Sequence, residues 1–154
     1  MQKKVILQIT PKTYVRATQQ DKKLFNMLAN GVDLSESGRK RVRALERYNE
    51  YKSSVLGIAK SLKFTLPEQG AEIIFYIPVS KTWKKYKKEQ MHMRLHQYRP
   101  DLSNLLKAFE DSLMAEDCFI ANYAGLSKYW VNDSIGRIEV IIHASGRRSS
   151  DVLT

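Results

Sequence analysis

Ala71-Glu72-Ile73-Ile74-Phe75-Tyr76-Ile77-Pro78-Val79 is apolar at every position except Glu72, with Pro67 and Gly70 before it and Pro78 near its end. A run this short and rich in isoleucine suits a strand covered on both faces, so it predicts the central strand of a sheet. Lys4 to Ile9, closed by Thr10-Pro11, reads as a first strand leading into the basic connection Lys12 to Gln20. Cys118 to Val131 and Arg137 to His143 are two aromatic and β-branched runs. The link Asn132-Asp133-Ser134-Ile135-Gly136 between them predicts a β-hairpin. Helical spacing appears on either side of the central run. Val42, Leu45, Tyr48, Tyr51, Val55, Ile58 and Leu62 recur every three or four residues, which predicts an amphipathic helix over Arg39 to Leu62. After Pro100, the positions Leu102, Leu105, Leu106, Phe109 and Leu113 predict a second helix reaching about Ala115, with Asp101, Asn104, Ala108 and Asp111 on its other side. Asp21 to Leu28 carries a weaker helical pattern, and Ala29 to Gly38, with two glycines, reads as a loop or insertion. The expected architecture is a single α+β domain over residues 1–143, a mixed β-sheet packed by helices, followed by a frayed tail over 144–154.

The 154 residues, 43 % hydrophobic and 27 % charged, suit one domain with its own core. One cysteine, Cys118, excludes an intramolecular disulfide and fits a reducing compartment. The opening apolar stretch, Val5 to Ile9, is too short for a signal-peptide core, and Ile73 to Val79 is too short to span a bilayer. These features predict a soluble, cytoplasmic protein with no membrane partner. Twenty-six Lys and Arg against 16 Asp and Glu leave a net charge of +10, which favours a polyanionic partner over a small neutral substrate.

The basic charge is concentrated. Ser80 to Arg99 holds Lys81, Lys84, Lys85, Lys87, Lys88, Arg94 and Arg99 against Glu89 alone, interleaved with Trp83, Tyr86 and Tyr98. Cations alternating with aromatic rings favour contact with a nucleic-acid backbone together with packing on bases or sugars. Immediately afterwards come Asp101, Glu110, Asp111, Glu116 and Asp117. Hydrolysis of a phosphodiester calls for hard oxygen ligands to a divalent cation and for positive charge on the strand, and these two neighbouring segments contain both. Asp101 and Asp111 are about 15 Å apart along a helix rising about 1.5 Å per residue, too far for one ion. Asp117, just past the helix, is the candidate partner for Asp101, and Lys107 is placed to face the scissile phosphate.

The residues Ile77-Pro78-Val79-Ser80-Lys81-Thr82-Trp83-Lys84-Lys85-Tyr86-Lys87-Lys88, then His96, then Arg99-Pro100-Asp101-Leu102-Ser103-Asn104-Leu105-Leu106-Lys107 with Glu110-Asp111 and Glu116-Asp117, resemble RusA-type Holliday junction endonucleases. The basic opening Thr10 to Arg16 also fits, so the resemblance extends over nearly the whole chain. It implies a small homodimeric α+β nuclease, common in phages and prophages, that uses Mg²⁺ (or Mn²⁺) and no small-molecule cofactor. Such enzymes resolve four-way DNA by paired nicks in recombination and repair, in a bacterial or phage-infected cell. Carried over by position, Asp101 and Asp117 correspond to metal-binding aspartates and Lys107 to the catalytic lysine. Arg16, Lys81, Trp83, Lys84, Lys85, Lys87, Lys88, His96 and Arg99 become the DNA-binding set, with His96 near the phosphate.

Ser103 departs from the pattern, which has an aspartate there. A neutral serine leaves the metal site one negative charge short. Three readings follow: Ser103 acts through water, Glu116 or Glu110 supplies the carboxylate, or the chain binds branched DNA without cutting it efficiently. Composition alone also permits a basic RNA-binding protein. Without the motif, Asp101 would read as a helix N-cap, and Arg39, Lys40, Arg41, Arg43 and Arg47 would be as well explained by pairing with Glu46 and Glu50 as by DNA. His92 and His96 have the spacing of a helical zinc pair with Cys118 as a third ligand, but the set is incomplete, and Cys118 reads better as a small apolar residue in a strand.

Overall fold

The computed structural model describes residues 2–116 and 118–143. In chain order these form β1 (Gln2–Leu7), α1 (Gln19–Ala29), α2 (Glu36–Ser61), β2 (Ala71–Pro78), α3 (Lys85–Met91), α4 (Leu102–Leu113), β3 (Tyr123–Val131) and β4 (Arg137–His143). The strands make one mixed sheet in the order β1-β4-β2-β3, so the α+β architecture and the central place of β2 are as expected. β2 runs parallel to β3 and antiparallel to β4, and β4 is antiparallel to β1.

The expected hairpin does not form. β3 and β4 lie on opposite sides of β2, and the 132–136 link crosses the end of β2 to join them. A turn-rich link shows that the chain reverses, not whether a third strand lies between the arms. The crossing is tight: a Cβ on Gly136 would lie 2.2 Å from the Tyr76 carbonyl oxygen and 3.1 Å from Pro78 Cδ. The Gly136 amide donates to Thr10 Oγ1 at 2.9 Å, fastening the link to the segment after β1. Pro78 suits this end of β2, since the pairing of β2 with β4 stops at Tyr76 and no donor is needed beyond it.

One sheet face is buried beneath helices. Leu7, Ile138 and Phe75 form one cross-strand row and Val5, Val140 and Ile73 the next, all buried. Tyr48, Tyr51, Val55 and Ala59 of α2 and Leu105, Ala108 and Phe109 of α4 cover them, with Phe109 edge-on to Phe75 at 6.2 Å between ring centroids. Ala108, expected on the outer side of its helix, is therefore core. The opposite face carries a polar cluster: Glu139, 4 % exposed, accepts from Tyr76 Oη at 3.2 Å and Arg137 Nε at 3.0 Å and pairs with Lys4. Burial pushes the Glu139 carboxyl up, but these partners together outweigh it and hold it below the ordinary value.

α2 begins at Glu36, capped by the Ser35 hydroxyl on the Gly38 amide, so the end of the expected 29–38 loop is helical. α1 starts with a reciprocal capping box between Thr18 and Asp21. Asp21, though in the first turn of an exposed helix, is buried because Arg41 of α2 grips both its oxygens at 2.9 and 3.0 Å. The guanidinium keeps the Asp21 carboxyl far below the usual carboxylate range. α4 ends at Leu113 and β3 begins only at Tyr123. Cys118 is exposed in a turn and not in a strand. Among the described residues no helix is long and apolar enough to cross a membrane. The expected tail, 144–154, lies outside the described residues.

Gly136→Ala is expected to destabilise the fold by about 3 kcal/mol through overpacking, read as a lowered urea midpoint. Gly57→Ala, in α2 with nothing near its Cβ position, should instead stabilise by about 0.8 kcal/mol. A Gly136→Ala variant as stable as the parent would exclude the crossing.

Candidate active site and nucleic-acid interface

Asp101 occupies the N-cap position of α4, with extended backbone (φ −67°, ψ 143°), but its side chain caps nothing. The residue is exposed, and its carboxylate makes no hydrogen bond or ion pair with the described residues. The bland reading of Asp101 as a structural cap is thereby excluded: a carboxylate at a helix start normally takes an amide of the first turn. It opens onto a surface cleft of about 540 Å³ lined by Thr13, Arg99, Pro100, Asp101 and Asn104. The basic connection after β1 crosses here, its Tyr14 amide bonded to the Asn104 carbonyl at 3.2 Å. Ser103 is exposed one residue into the helix. Lys107 lies further along α4 and is paired with Asp111 at 3.2 Å. Beneath this pair the Tyr48 hydroxyl of α2 is buried without a hydrogen-bond partner, its pKa raised by burial and by Asp111.

The other proposed carboxylates fare differently. Glu110 is buried and accepts from Tyr123 Oη at 2.7 Å, so it is committed to joining α4 and β3. Glu116 is exposed and accepts a weak contact from Cys118 Sγ at 3.9 Å. Asp117 lies outside the described residues. Among the described residues no three His, Cys, Asp or Glu side chains cluster as metal ligands, which also removes the His92, His96 and Cys118 set. His92 instead takes the Asn132 amide on Nδ1 at 2.8 Å.

The segment after α3 runs antiparallel along the outer edge of β3. The Met93 amide bonds to the Trp130 carbonyl at 2.8 Å, the Trp130 amide to the Arg94 carbonyl at 2.9 Å, and the His96 amide to the Lys128 carbonyl at 3.0 Å. Lys128, on the helix-covered face beside Phe75, sends its ammonium to the carbonyls of Tyr98 and Pro100, the latter at 2.6 Å. Burial lowers the Lys128 pKa, and the nearby negative charge of Asp101 acts against that. Neither Lys128 nor Tyr48 is prominent in the sequence. The available signal was a charged residue between Leu126 and Trp130 at strand period, where one face should be apolar.

Two assignments in the DNA-binding set need correction. His96 is 3 % exposed and stacked on Trp130 at 4.0 Å between ring centroids, so it cannot reach a phosphate. Burial, then the Lys128 charge, pushes its pKa down to about 4. Trp83 is half-buried against Trp130 at 4.9 Å, with Lys87 over its ring at 4.3 Å, so its faces are largely used within the chain. The aromatic rings that remain open are Tyr86, 69 % exposed, and Tyr98, 65 % exposed. Lys81, Lys84, Lys85, Lys87, Arg99 and Arg16 are exposed and Lys88 is partly so, and of these Arg99 lines the Asp101 cleft. Among the described residues Arg43 and Arg47 form no ion pair, whereas Arg41 is spent on Asp21 and on the Arg16 carbonyl, the latter at 2.8 Å.

This geometry defines a class, a basic α+β domain that presents a carboxylate and a lysine along one helix, with Arg99 in the same cleft and an exposed cationic, aromatic segment preceding it in the chain. A family model described as endodeoxyribonuclease RusA matches residues 32–143, well over half of the chain. The chain belongs to the RusA endodeoxyribonuclease family. Membership implies a structure-specific endodeoxyribonuclease acting on branched, Holliday-junction DNA. The matched span contains the sheet strands β2 to β4 and the whole α4 site, while β1, the basic connection and α1 precede it. Among curated proteins no relative matches the chain.

His96 makes stability pH-dependent. An unfolded histidine protonates near pH 6.5, the folded one only near 4, so the unfolded state takes up the proton first. The stabilisation is complete above about pH 6.5 and is lost as the pH falls towards 4. Measured from pH 7.5 to 4.5, the urea midpoint of the parent should fall relative to that of His96→Phe as the pH falls. Parallel curves would show that His96 does not titrate in this way.

Proposed function

We propose that this protein is a homodimeric, divalent-metal-dependent nuclease that resolves four-way DNA by paired nicks, one from each subunit. The observation that carries this reading is Asp101, an exposed carboxylate that neither caps its helix nor forms an ion pair with any described residue, sharing a cleft with Arg99 in a chain of the RusA family. Asp101 fits a hard divalent cation, and Asp117 is the proposed second ligand, with Glu116 as a further donor. Mg²⁺ or Mn²⁺ would supply neutralisation of the phosphate and activation of a water.

The chain's own residues do the rest. Arg16, Lys81, Lys84, Lys85, Lys87, Lys88 and Arg99 hold the DNA backbone, and Tyr86 and Tyr98 offer open ring faces for bases or sugars. Lys107 stabilises charge developing on the phosphate, with Asp111 orienting it through their ion pair. Ser103, exposed beside Asp101, contributes a neutral oxygen where the family pattern has a charge. That substitution favours a second reading, a junction-binding protein that cuts poorly, and it is the reason to test cleavage directly.

The deciding experiment is nicking of a labelled mobile four-way junction with Mg²⁺ or Mn²⁺ by the parent chain and by Ser103→Asp. Cleavage by the parent supports the nuclease reading, and cleavage by Ser103→Asp alone supports the binder. Asp101→Asn should lower cleavage by about 100-fold or more while junction affinity without metal is kept. Replacing Lys84, Lys85, Lys87 and Lys88 together with alanine should reduce the slope of log affinity against log salt by about 3 to 4. An unchanged slope would move the DNA off these lysines.

A further inference from the structure

We propose that Lys128 is the positioning residue for Asp101: from the covered face of β3 its ammonium joins the carbonyls of Tyr98 and Pro100 and so sets the direction in which the next residue presents its carboxylate. The inference rests on the metal-binding reading of Asp101 above.

Lys128 continues a buried cross-strand row. Leu7, Ile138 and Phe75 are fully buried, and Lys128 is the register partner of Phe75 in β3. A cation at the end of an apolar row loses hydration, and this one also faces the start of α4, the positive end of the helix dipole. Both effects oppose a lysine here, so its retention needs a compensating role. Its two carbonyl partners flank Arg99, and bonding both closes the bend through which the chain enters α4. On the strand side, the backbone of the same Lys128 accepts the His96 amide at 3.0 Å. One residue therefore fixes the approach to Asp101 twice, once through its main chain and once through its side chain. Asp101 has no capping bond of its own to fix its direction, so the bend upstream sets where its carboxylate points. A methionine at 128 would fill the same space and donate to neither carbonyl.

Charge and positioning predict opposite results. Removing a cation near a metal ligand should, by Coulomb's law alone, tighten binding of a divalent ion. Losing the bond that orients a ligand should weaken it. The experiment is calorimetric titration of Mn²⁺ into the full chain without DNA, for the parent, Asp101→Asn, Lys128→Met and Lys128→Arg, with thermal melts of each. We expect Lys128→Met to bind Mn²⁺ about tenfold more weakly or worse, and Lys128→Arg, which retains donors, to stay within about twofold of the parent. Where melting shows Lys128→Met to be unfolded, Lys128→Leu, which likewise has no donor, takes its place and is judged by the same criterion. If Asp101→Asn weakens Mn²⁺ binding but the neutral variant at 128 binds it equally or more tightly, the positioning role is overturned and the metal site stands. If the parent binds no Mn²⁺, or Asp101→Asn binds it unchanged, the metal reading fails and this inference with it.

Discussion

The link over residues 132–136 must pass across the end of β2, and Gly136 lies so close to the Tyr76 carbonyl that the crossing leaves no room for a side chain. That steric constraint puts β4 between β1 and β2 and sends β3 to the far side of the sheet. The outer edge of β3 is then available to the chain between α3 and α4, which lies along it through the amides of Met93, Trp130 and His96. Because that segment leads directly into α4, the position of Asp101 is inherited from the position of β3. A true hairpin of β3 and β4 would have left β3 with a different neighbour and the 92–100 segment without this edge.

The electrostatics of the molecule divide by place. Two of its buried carboxylates are neutralised locally, Asp21 by Arg41, and Glu139 by Arg137, Lys4 and the Tyr76 hydroxyl. Around the α4 start the balance differs. Among the described residues Asp101 neither caps its helix nor forms an ion pair, Arg99 lines its cleft, and Lys128 is held by the backbone carbonyls of Tyr98 and Pro100. Acids satisfied in the interior and an acid left open in a cleft shared with Arg99 are what an ion-assisted phosphodiester site calls for. In the proposed metal site, Ser103 would leave one negative charge fewer than an aspartate there. Glu110 cannot restore it, because its carboxylate is already bonded to Tyr123 in the interior.

The aromatic residues show why side-chain type is a weaker guide than placement. Trp83, Tyr86, His96 and Tyr98 share one basic stretch, and each has the chemistry to touch DNA. Trp130, brought from β3, takes up His96 and much of Trp83 and also touches the Tyr98 ring at 6.0 Å between centroids, yet Tyr98 stays 65 % exposed and Tyr86 69 %.

Much of this was determined by the sequence alone. The apolar run from Ala71 dictates a covered strand, the spacing from Val42 to Leu62 a buried helix face, and Pro100-Asp101 a helix start, because burial periodicity and proline geometry are local properties. The family pattern around Asp101 and Lys107 was legible for the same reason, since its residues lie within one helix. What only the tertiary structure decided depends on contacts between distant segments. The strand order, the burial of His96 under Trp130, the removal of Glu110 to Tyr123, the core position of Ala108, and the reach of Lys128 back to Tyr98 and Pro100 all need two pieces of chain to meet. No local periodicity encodes which piece a residue will meet, so these features emerged only when the sheet was assembled.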